Sequence, residues 1–365
     1  MIRRLLRGLR HLLGAVVLLC GLVCLAEVYL SARRAELRVA DSTDTAPELV
    51  VPSRLYFEEL KPLSLSRSGD DVRSAAVRTN SFGLRGPEPQ VPKPRGRYRV
   101  LLLGDEATLA GGTPEAETFT HLTQRLLTGR TALPVEVING GLPGGCPLTL
   151  DLLYRHRLTA LGVDAVVLML HESDVADDLR RRPYVRTDDA GRTLACPHPT
   201  LGGRAGRLEV WRDELRLVDL AARHVVGGWV DHSAPVRDDL LSGHRSREWL
   251  TDPGGMWAEP LAMTLSPVRR LKSDADAAGI QLAAMIVPTP ADGGGVTGPA
   301  TSAGWAEVTR MLASIGVPTI DATADLAKSD PRELFTNQGQ LAARGHQQVA
   351  LKLAVTLSQW PRLAK

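Results

Sequence analysis

Four carboxylates and one histidine fall into two tight groups, Asp105 with Glu106, and His171 with Glu172 and Asp174. Each group directly follows a short apolar run, so the two meet if those runs become neighbouring strands. Gathered like charges either raise one another's pKa, which suits acid/base work, or demand a cation. The alternative is structural: Asp105 and Asp174 cap helices or loops, and Glu106 faces water. His171 completes no metal-ligand spacing with other residues and reads as a loop histidine. No resident metal and no cofactor is expected. A third group, Asn337-Gln338-Gly339-Gln340, precedes Gly345-His346 near the C-terminus. Glycines crowd the segment from Asn139 to Gly145, but no Gly-x-x-x-x-Gly-Lys-Ser/Thr pattern accompanies them, so it reads as a turn rather than a phosphate cradle. A Gly-x-Ser-x-Gly nucleophile elbow is also absent.

Apolar runs of strand length occur at Tyr98 to Leu103, Val135 to Ile138, Ala165 to Leu170, Gln281 to Val287 and Val317 to Ile320. Their continuous apolarity predicts strands buried on both faces. Helical patterns lie between them, at about 115–128, 148–162, 260–278 and 302–315, with a last one at about 342–358. This alternation predicts a parallel sheet covered by helices on both sides, a three-layer α/β/α sandwich. In such sheets, sites form beyond the carboxyl ends of the strands, which is where the carboxylate groups stand. The stretch of about 175–258 is too long for one crossover and predicts an insertion with a helix near 206–224.

The order of these motifs resembles that of the SGNH/GDSL hydrolases, over residues from about Asn80 to the C-terminus. Asn80-Ser81-Phe82-Gly83-Leu84-Arg85-Gly86-Pro87-Glu88 looks like the lead-in of membrane-anchored bacterial members. The resemblance implies an SGNH-type sandwich, and it also marks what is missing. Where the family's first block carries its serine nucleophile, this chain has Glu106, preceded by Asp105. A carboxylate would form a mixed anhydride and would repel a developing oxyanion, so it does not replace the hydroxyl. Gly141 matches the glycine amide of the oxyanion hole, and Ser173, followed by Asp174, matches its asparagine donor. Losing one such donor costs about 3–4 kcal/mol of transition-state stabilisation. Asn337 or Gln338 stands for the triad aspartate and Gln340 for the base histidine. An amide has no useful basicity near neutral pH. His346 matches the non-catalytic histidine that follows the glycine opening the family's last helix; the competing reading is a displaced base.

The N-terminus points to the cell envelope. Arg3, Arg4, Arg7 and Arg10 form a basic flank over residues 1–11, and an apolar segment follows at about 12–32, interrupted only by Glu27. About 21 residues suffice to cross a hydrocarbon core of about 30 Å as a helix. A single-pass anchor is expected, with the basic end cytoplasmic and the large domain periplasmic or extracellular. Residues 33–97, rich in Pro, Ser, Asp and Arg, read as a stalk that packs along the domain, and residues 98–365 as the hydrolase-like domain. Residues 1–38 carry about +5 of the formal net charge of +3, leaving about −2 for the remainder, so charge gives no sign of nucleic-acid binding. Outside the cell, Cys146 and Cys196 are free to pair as a disulfide; two unrelated reduced thiols are the alternative.

The sequence therefore implies a catalytically degenerate hydrolase-like protein that binds a carbohydrate, an acylated ligand or a protein partner at the former pocket. A surviving ester hydrolase or acyltransferase with unfamiliar residues and a structural role in envelope assembly are the alternatives. Oligomeric state leaves no mark in the sequence.

Overall fold

The computed structural model describes residues 49–67, 75–201, 243–291, 295–337 and 339–365. The expected anchor at 12–32, the expected helix at 206–224 and Gln338 lie outside these residues. Among the described residues, no helix is long and apolar enough to cross a membrane. The chain divides into two compact units, Met1–Ser42 with Pro199–Asp238, and Thr43–His198 with Asp239–Lys365. The second unit carries the sheet.

Five strands form that sheet: β1 (Tyr98–Gly104), β2 (Val135–Gly141), β3 (Ala165–Leu170), β4 (Gln281–Ile286) and β5 (Thr319–Ile320). They lie in the order β2-β1-β3-β4-β5, and every neighbouring pair is parallel. All seven residues of β1 and all six of β3 are buried; β3 is apolar throughout, whereas β1 includes the buried Arg99, paired with Glu136 at 2.9 Å. Side chains alternate between two cores. Leu101, Leu103, Val166 and Leu168 pack with Leu152 of α3 (Pro147–Leu153), Leu265 of α5 (Ala258–Ala277) and Leu312 of α6 (Ala303–Ser314). Val100, Leu102, Val167 and Met169 pack on the other face with Phe119 of α2 (Phe119–Leu127) and Leu353 of α7 (Ala343–Ser358). Helices thus cover both faces, and the three-layer sandwich expected from the sequence is the observed architecture.

The insertion opens with a helix that periodicity does not announce, α4 (Asp174–Arg181). Val175 and Leu179 are its main core contacts. Charged residues dominate the rest, and pairs spaced i,i+4 support it, Arg181 with Asp177 at 3.1 Å and Arg182 with Asp178 at 2.7 Å. The helix expected over 148–162 is regular only to Leu153; a wide π-type turn at Tyr154–Leu158 and a tight turn at Thr159–Leu161 complete it.

The described residues of the segment read as a stalk pack along the domain. They form two small hairpins, Val50–Pro52 with Glu58–Leu60 and Leu65–Arg67 with Ala76–Arg78. Leu49, Tyr56, Leu60, Val77 and Leu84 are buried in the same core as Leu101 and Leu103. Isolated apolar residues spread through a polar stretch give no period, so this burial is invisible before the chain folds back on the domain.

The lead-in motif has a physical explanation. The Asn80 carboxamide oxygen accepts from the amides of Phe82 and Leu84, and its nitrogen donates to the Pro87 carbonyl, which closes a tight turn. Gly83 has φ +68°, and a β-carbon there would sit 2.5 Å from the Leu60 carbonyl oxygen, so both conformation and space select glycine. The turn delivers Arg85 into the interior, where its guanidinium donates to the carbonyls of Leu109, Ala110 and Thr113. These carbonyls belong to the loop after β1, so Arg85 braces the segment that follows the first strand. Replacing it by methionine leaves three buried carbonyls short of a donor, at about 1–3 kcal/mol each before relaxation. Arg85→Met is expected to lose about 3 kcal/mol of stability, read from the midpoint of a urea unfolding curve.

Candidate functional site

The strand order reverses between β1 and β3, because the chain runs from β1 outward to β2 and then returns to the far side of β1. The two connections leave in opposite directions and open a crevice at the carboxyl ends of these strands. Asp105 and Glu106 follow β1 and His171 and Glu172 follow β3, so the two groups read from the sequence meet there.

Asp105 is completely buried and caps the short helix α1 (Glu106–Leu109), its Oδ1 accepting from the Ala107 amide at 3.0 Å. Its Oδ2 has no hydrogen-bond donor, although His171 Nδ1 lies 3.1 Å away. Nδ1 is instead 3.0 Å from Ser173 Oγ. Burial pushes the Asp105 carboxyl up to about 7, partly offset by His171 and reinforced by Glu106 and Asp177. Burial acts to lower the His171 pKa, but the facing carboxylates, Asp105 foremost, outweigh it and leave it raised. Asp174 is also buried and held well above the usual carboxylate range, by burial first and by Asp105 second. Its Oδ2 accepts from the His171 amide at 3.0 Å. His171 lies in the loop after β3, as the sequence reading has it, and its ring faces Asp105 across the crevice. The signal was missed because the partners stand 66 positions apart and only strand pairing brings them together.

Glu106 is half-buried, and its Oε2 accepts from the Gly144 amide at 2.9 Å. This corrects the expected oxyanion donor. The Gly141 amide is spent on Asn139 Oδ1 at 2.9 Å, whereas the amide that faces the nucleophile position belongs to Gly144. Gly144 has φ +60°, and a β-carbon there would meet Arg181 Nη2 at 2.3 Å. Glu106 thus places its own oxygen against the one backbone donor that the glycine loop turns towards it.

A cavity of about 200 Å³ opens beside these residues, lined on its polar side by Glu106, His171, Glu172, Arg247, Thr289 and Gln340. Glu172 is held in place by Arg247 at 3.0 Å and the Thr289 hydroxyl at 2.8 Å, both on its Oε2. Ala107, Val287, Pro288, Pro290 and Leu341 supply the apolar wall. Gln340 reaches the cavity as the sequence register implies, while Asn337 is exposed and is not part of its lining. Ser173 touches His171 but does not line the cavity.

His346 is not a displaced base. It is buried on α7, its Nδ1 accepts from the Phe119 amide at 3.3 Å and its Nε2 lies 3.0 Å from Thr113 Oγ1. Burial, with Arg85 adding to it, lowers its pKa to about 4, so the ring is neutral and structural. Cys146 and Cys196 are free and buried, and the disulfide left open by the sequence is not formed. Cys146 starts α3 with its thiol 3.7 Å from Thr149 Oγ1, and the Cys196 thiol donates to the Arg181 carbonyl at 3.5 Å. Burial raises both thiols to about 12, so neither is a thiolate nucleophile.

The parallel five-stranded sheet between helical layers fits an SGNH/GDSL-type sandwich. No family model matches the chain, and no curated protein matches it. Among solved structures, the chain is similar to a putative lipolytic protein of the G-D-S-L family from Desulfitobacterium hafniense. The identity there is 10%, over 70% of this chain and 98% of that one, with a TM-score of 0.35. It is similar to an acetylxylan esterase from Geobacillus stearothermophilus at 12% identity, over 70% of this chain and 91% of that one, with a TM-score of 0.38. It is also similar to a putative SGNH hydrolase from Slackia heliotrinireducens at 17% identity, over 72% and 99%, with a TM-score of 0.35.

The raised pKa of Asp105 sets a pH dependence. A carboxyl whose folded-state pKa lies above its unfolded value stabilises the fold at low pH, and that contribution is lost as the pH rises through the folded value. For Asp105 the loss runs from about pH 4 to about 7, and the raised His171 acts in the same direction. In chelator-containing buffer, the melting temperature of the native chain relative to Asp105→Asn is expected to fall steadily across that interval. A flat difference would mean that Asp105 is not a buried, proton-holding carboxyl.

Proposed function

We propose that this chain is a membrane-anchored, extracytoplasmic SGNH-like protein that binds a ligand at the crevice and does not carry out serine-hydrolase chemistry. The observation that carries the reading is Glu106: at the nucleophile position it presents a carboxylate that already accepts the Gly144 amide. An ester carbonyl entering there would meet a negative oxygen where it needs an attacking hydroxyl and a free donor. Gln340, at the position of the base, lines the cavity with an amide that takes up no proton at neutral pH. The cavity is small beside the roughly 300–1,000 Å³ of pockets that enclose whole drug-sized ligands. One compact group of a larger molecule fits it, such as the acyl substituent or a single ring of an acylated carbohydrate. The anchored, outward-facing placement rests on the basic flank and apolar segment at the N-terminus.

The Asp105–His171 pair favours a second reading, a hydrolase or acyltransferase that uses them as acid and base. The two readings separate by turnover. The purified full chain is expected to leave small acyl esters unhydrolysed and to form no adduct with serine-directed phosphonates. Glu106→Ser alone is expected to remain inactive, because no base faces the new hydroxyl from position 340. Combining it with Gln340→His and Asn337→Asp supplies the missing groups. Measurable hydrolysis by the native chain that is lost in Asp105→Asn would overturn the binding reading in favour of the enzyme. Acetylated oligosaccharides are expected to raise the melting temperature of the native chain, and Gln340→Trp, which fills the cavity, is expected to abolish that shift. A shift that survives Gln340→Trp would place the ligand elsewhere.

A further inference from the structure

The crevice holds a group of ligand atoms that the loss of serine chemistry leaves unexplained. One carboxylate oxygen each from Asp105 and Glu106 and one ring nitrogen from His171 lie within 4.8 Å of one another. We propose that Asp105, Glu106 and His171 form a binding site for a divalent transition-metal ion of the zinc class, with its open coordination position facing the cavity.

The observation that points to a ligand, beyond the grouping itself, is Asp105 Oδ2. It belongs to a fully buried side chain, and with His171 neutral and its Nδ1 accepting from the Ser173 amide, the oxygen faces a second acceptor 3.1 Å away and receives no hydrogen bond. A buried acceptor without a partner costs about 1–3 kcal/mol, and more when it is charged, so native structures pair nearly all of them. The residue's other oxygen is occupied by the Ala107 amide, which fixes the orientation of the carboxylate and aims Oδ2 into the group. A bound cation would satisfy Oδ2 and offset the repulsion among Asp105, Glu106 and Asp177.

The dimensions suit a small ion. Ligands held at about 2.0–2.2 Å from a tetrahedral centre stand roughly 3.3–3.6 Å apart. The Asp105–His171 edge is 3.1 Å, so that edge needs little movement, and Glu106, within 4.8 Å of the other two, must close by at most about 1.5 Å. Glu106 is free to do so, because Gly144 engages Oε2 and Oε1 remains available. Two carboxylates balance the charge of a divalent ion, and one imidazole with two oxygens suits zinc-class ions better than calcium or magnesium, which take six or more oxygens. Structural zinc sites are closed by four protein ligands, whereas three ligands and an accessible fourth position mark a site that takes up an exogenous molecule. Glu106 and His171 both line the 200 Å³ cavity, so a water or a ligand oxygen would complete the sphere from that side. Asp174 accepts the His171 backbone amide at 3.0 Å and so fixes the loop that carries the ring, while an ion on Nδ1 would take the place of its present contact with Ser173 Oγ.

The test uses the full chain in detergent, stripped with chelator and dialysed, then titrated with zinc chloride and, in separate runs, with manganese and calcium chloride. One equivalent of zinc is expected to bind by calorimetry, and a hundredfold excess over the dissociation constant to raise the melting temperature by roughly 5 °C. Manganese is expected to bind more weakly and calcium not at all. Asp105→Asn keeps the helix cap, since asparagine caps as well as aspartate, and His171→Ala removes only the ring; each is expected to weaken zinc binding at least tenfold. Glu307→Gln, on an exposed ion pair far from the crevice, is expected to bind zinc as the native chain does. Absence of heat and of any thermal shift would overturn the proposal and leave Asp105 and His171 as a pair that shares a proton. Binding of undiminished strength in Asp105→Asn would overturn it too, by showing that zinc sits elsewhere. Both readouts are independent of whether a carbohydrate ligand or any turnover is found.

Discussion

Asp105 stands, fully buried, at the first residue beyond β1, between β2 and β3 in the sheet, and much of the arrangement around it follows from that placement. A carboxylate in such a position is costly unless it is bonded, paired or protonated. Its Oδ1 is met by the first turn of α1, which fixes where Glu106 begins. Its other oxygen draws in His171 from the neighbouring strand, and the field of the pair reaches Asp174. The chemistry available to the crevice is set by how that second oxygen is satisfied, by a shared proton or by a bound cation.

The loop carrying Asp105 and Glu106 is held from behind by a segment that has no regular structure of its own. Arg85 donates to three carbonyls after β1, and Asn80 and Gly83 shape the turn that brings it there. On the other side, Glu172 links the end of β3 to Arg247 and Thr289, which come from segments far apart in sequence. The crevice is therefore built at a sheet's switch point but positioned by hydrogen bonds from three separate segments outside the sheet. Such bonds fix side chains without adding much apolar burial, which leaves the geometry of the site separable from the stability of the two cores.

On the binding reading proposed above, what sets this crevice apart from a serine hydrolase lies in its side chains rather than in the scaffold. The Gly144 amide faces residue 106 and Asp174 accepts the His171 amide after β3, while a carboxylate meets Gly144 and an amide stands at Gln340. A hydroxyl nucleophile needs a neutral, deprotonatable side chain and a base of matched pKa.

The sequence by itself determined the layers. Unbroken apolar runs such as Ala165–Leu170 have only one environment open to them, the middle of a covered parallel sheet, and α7 shows its spacing plainly. It also determined that Glu106 and Gln340 lack the chemistry of a serine hydrolase, because that depends on side-chain type alone. It did not disclose α4, whose few apolar residues are outnumbered by charges that pair only once the helix exists, nor the burial of Leu49, Tyr56 and Val77. Tertiary structure alone decided that Gly144 rather than Gly141 faces residue 106, since backbone amides carry no label in sequence and their direction follows the local turn. It alone placed His171 against Asp105, because contacts between strand ends depend on pairing order, and pairing order is a property of the whole sheet.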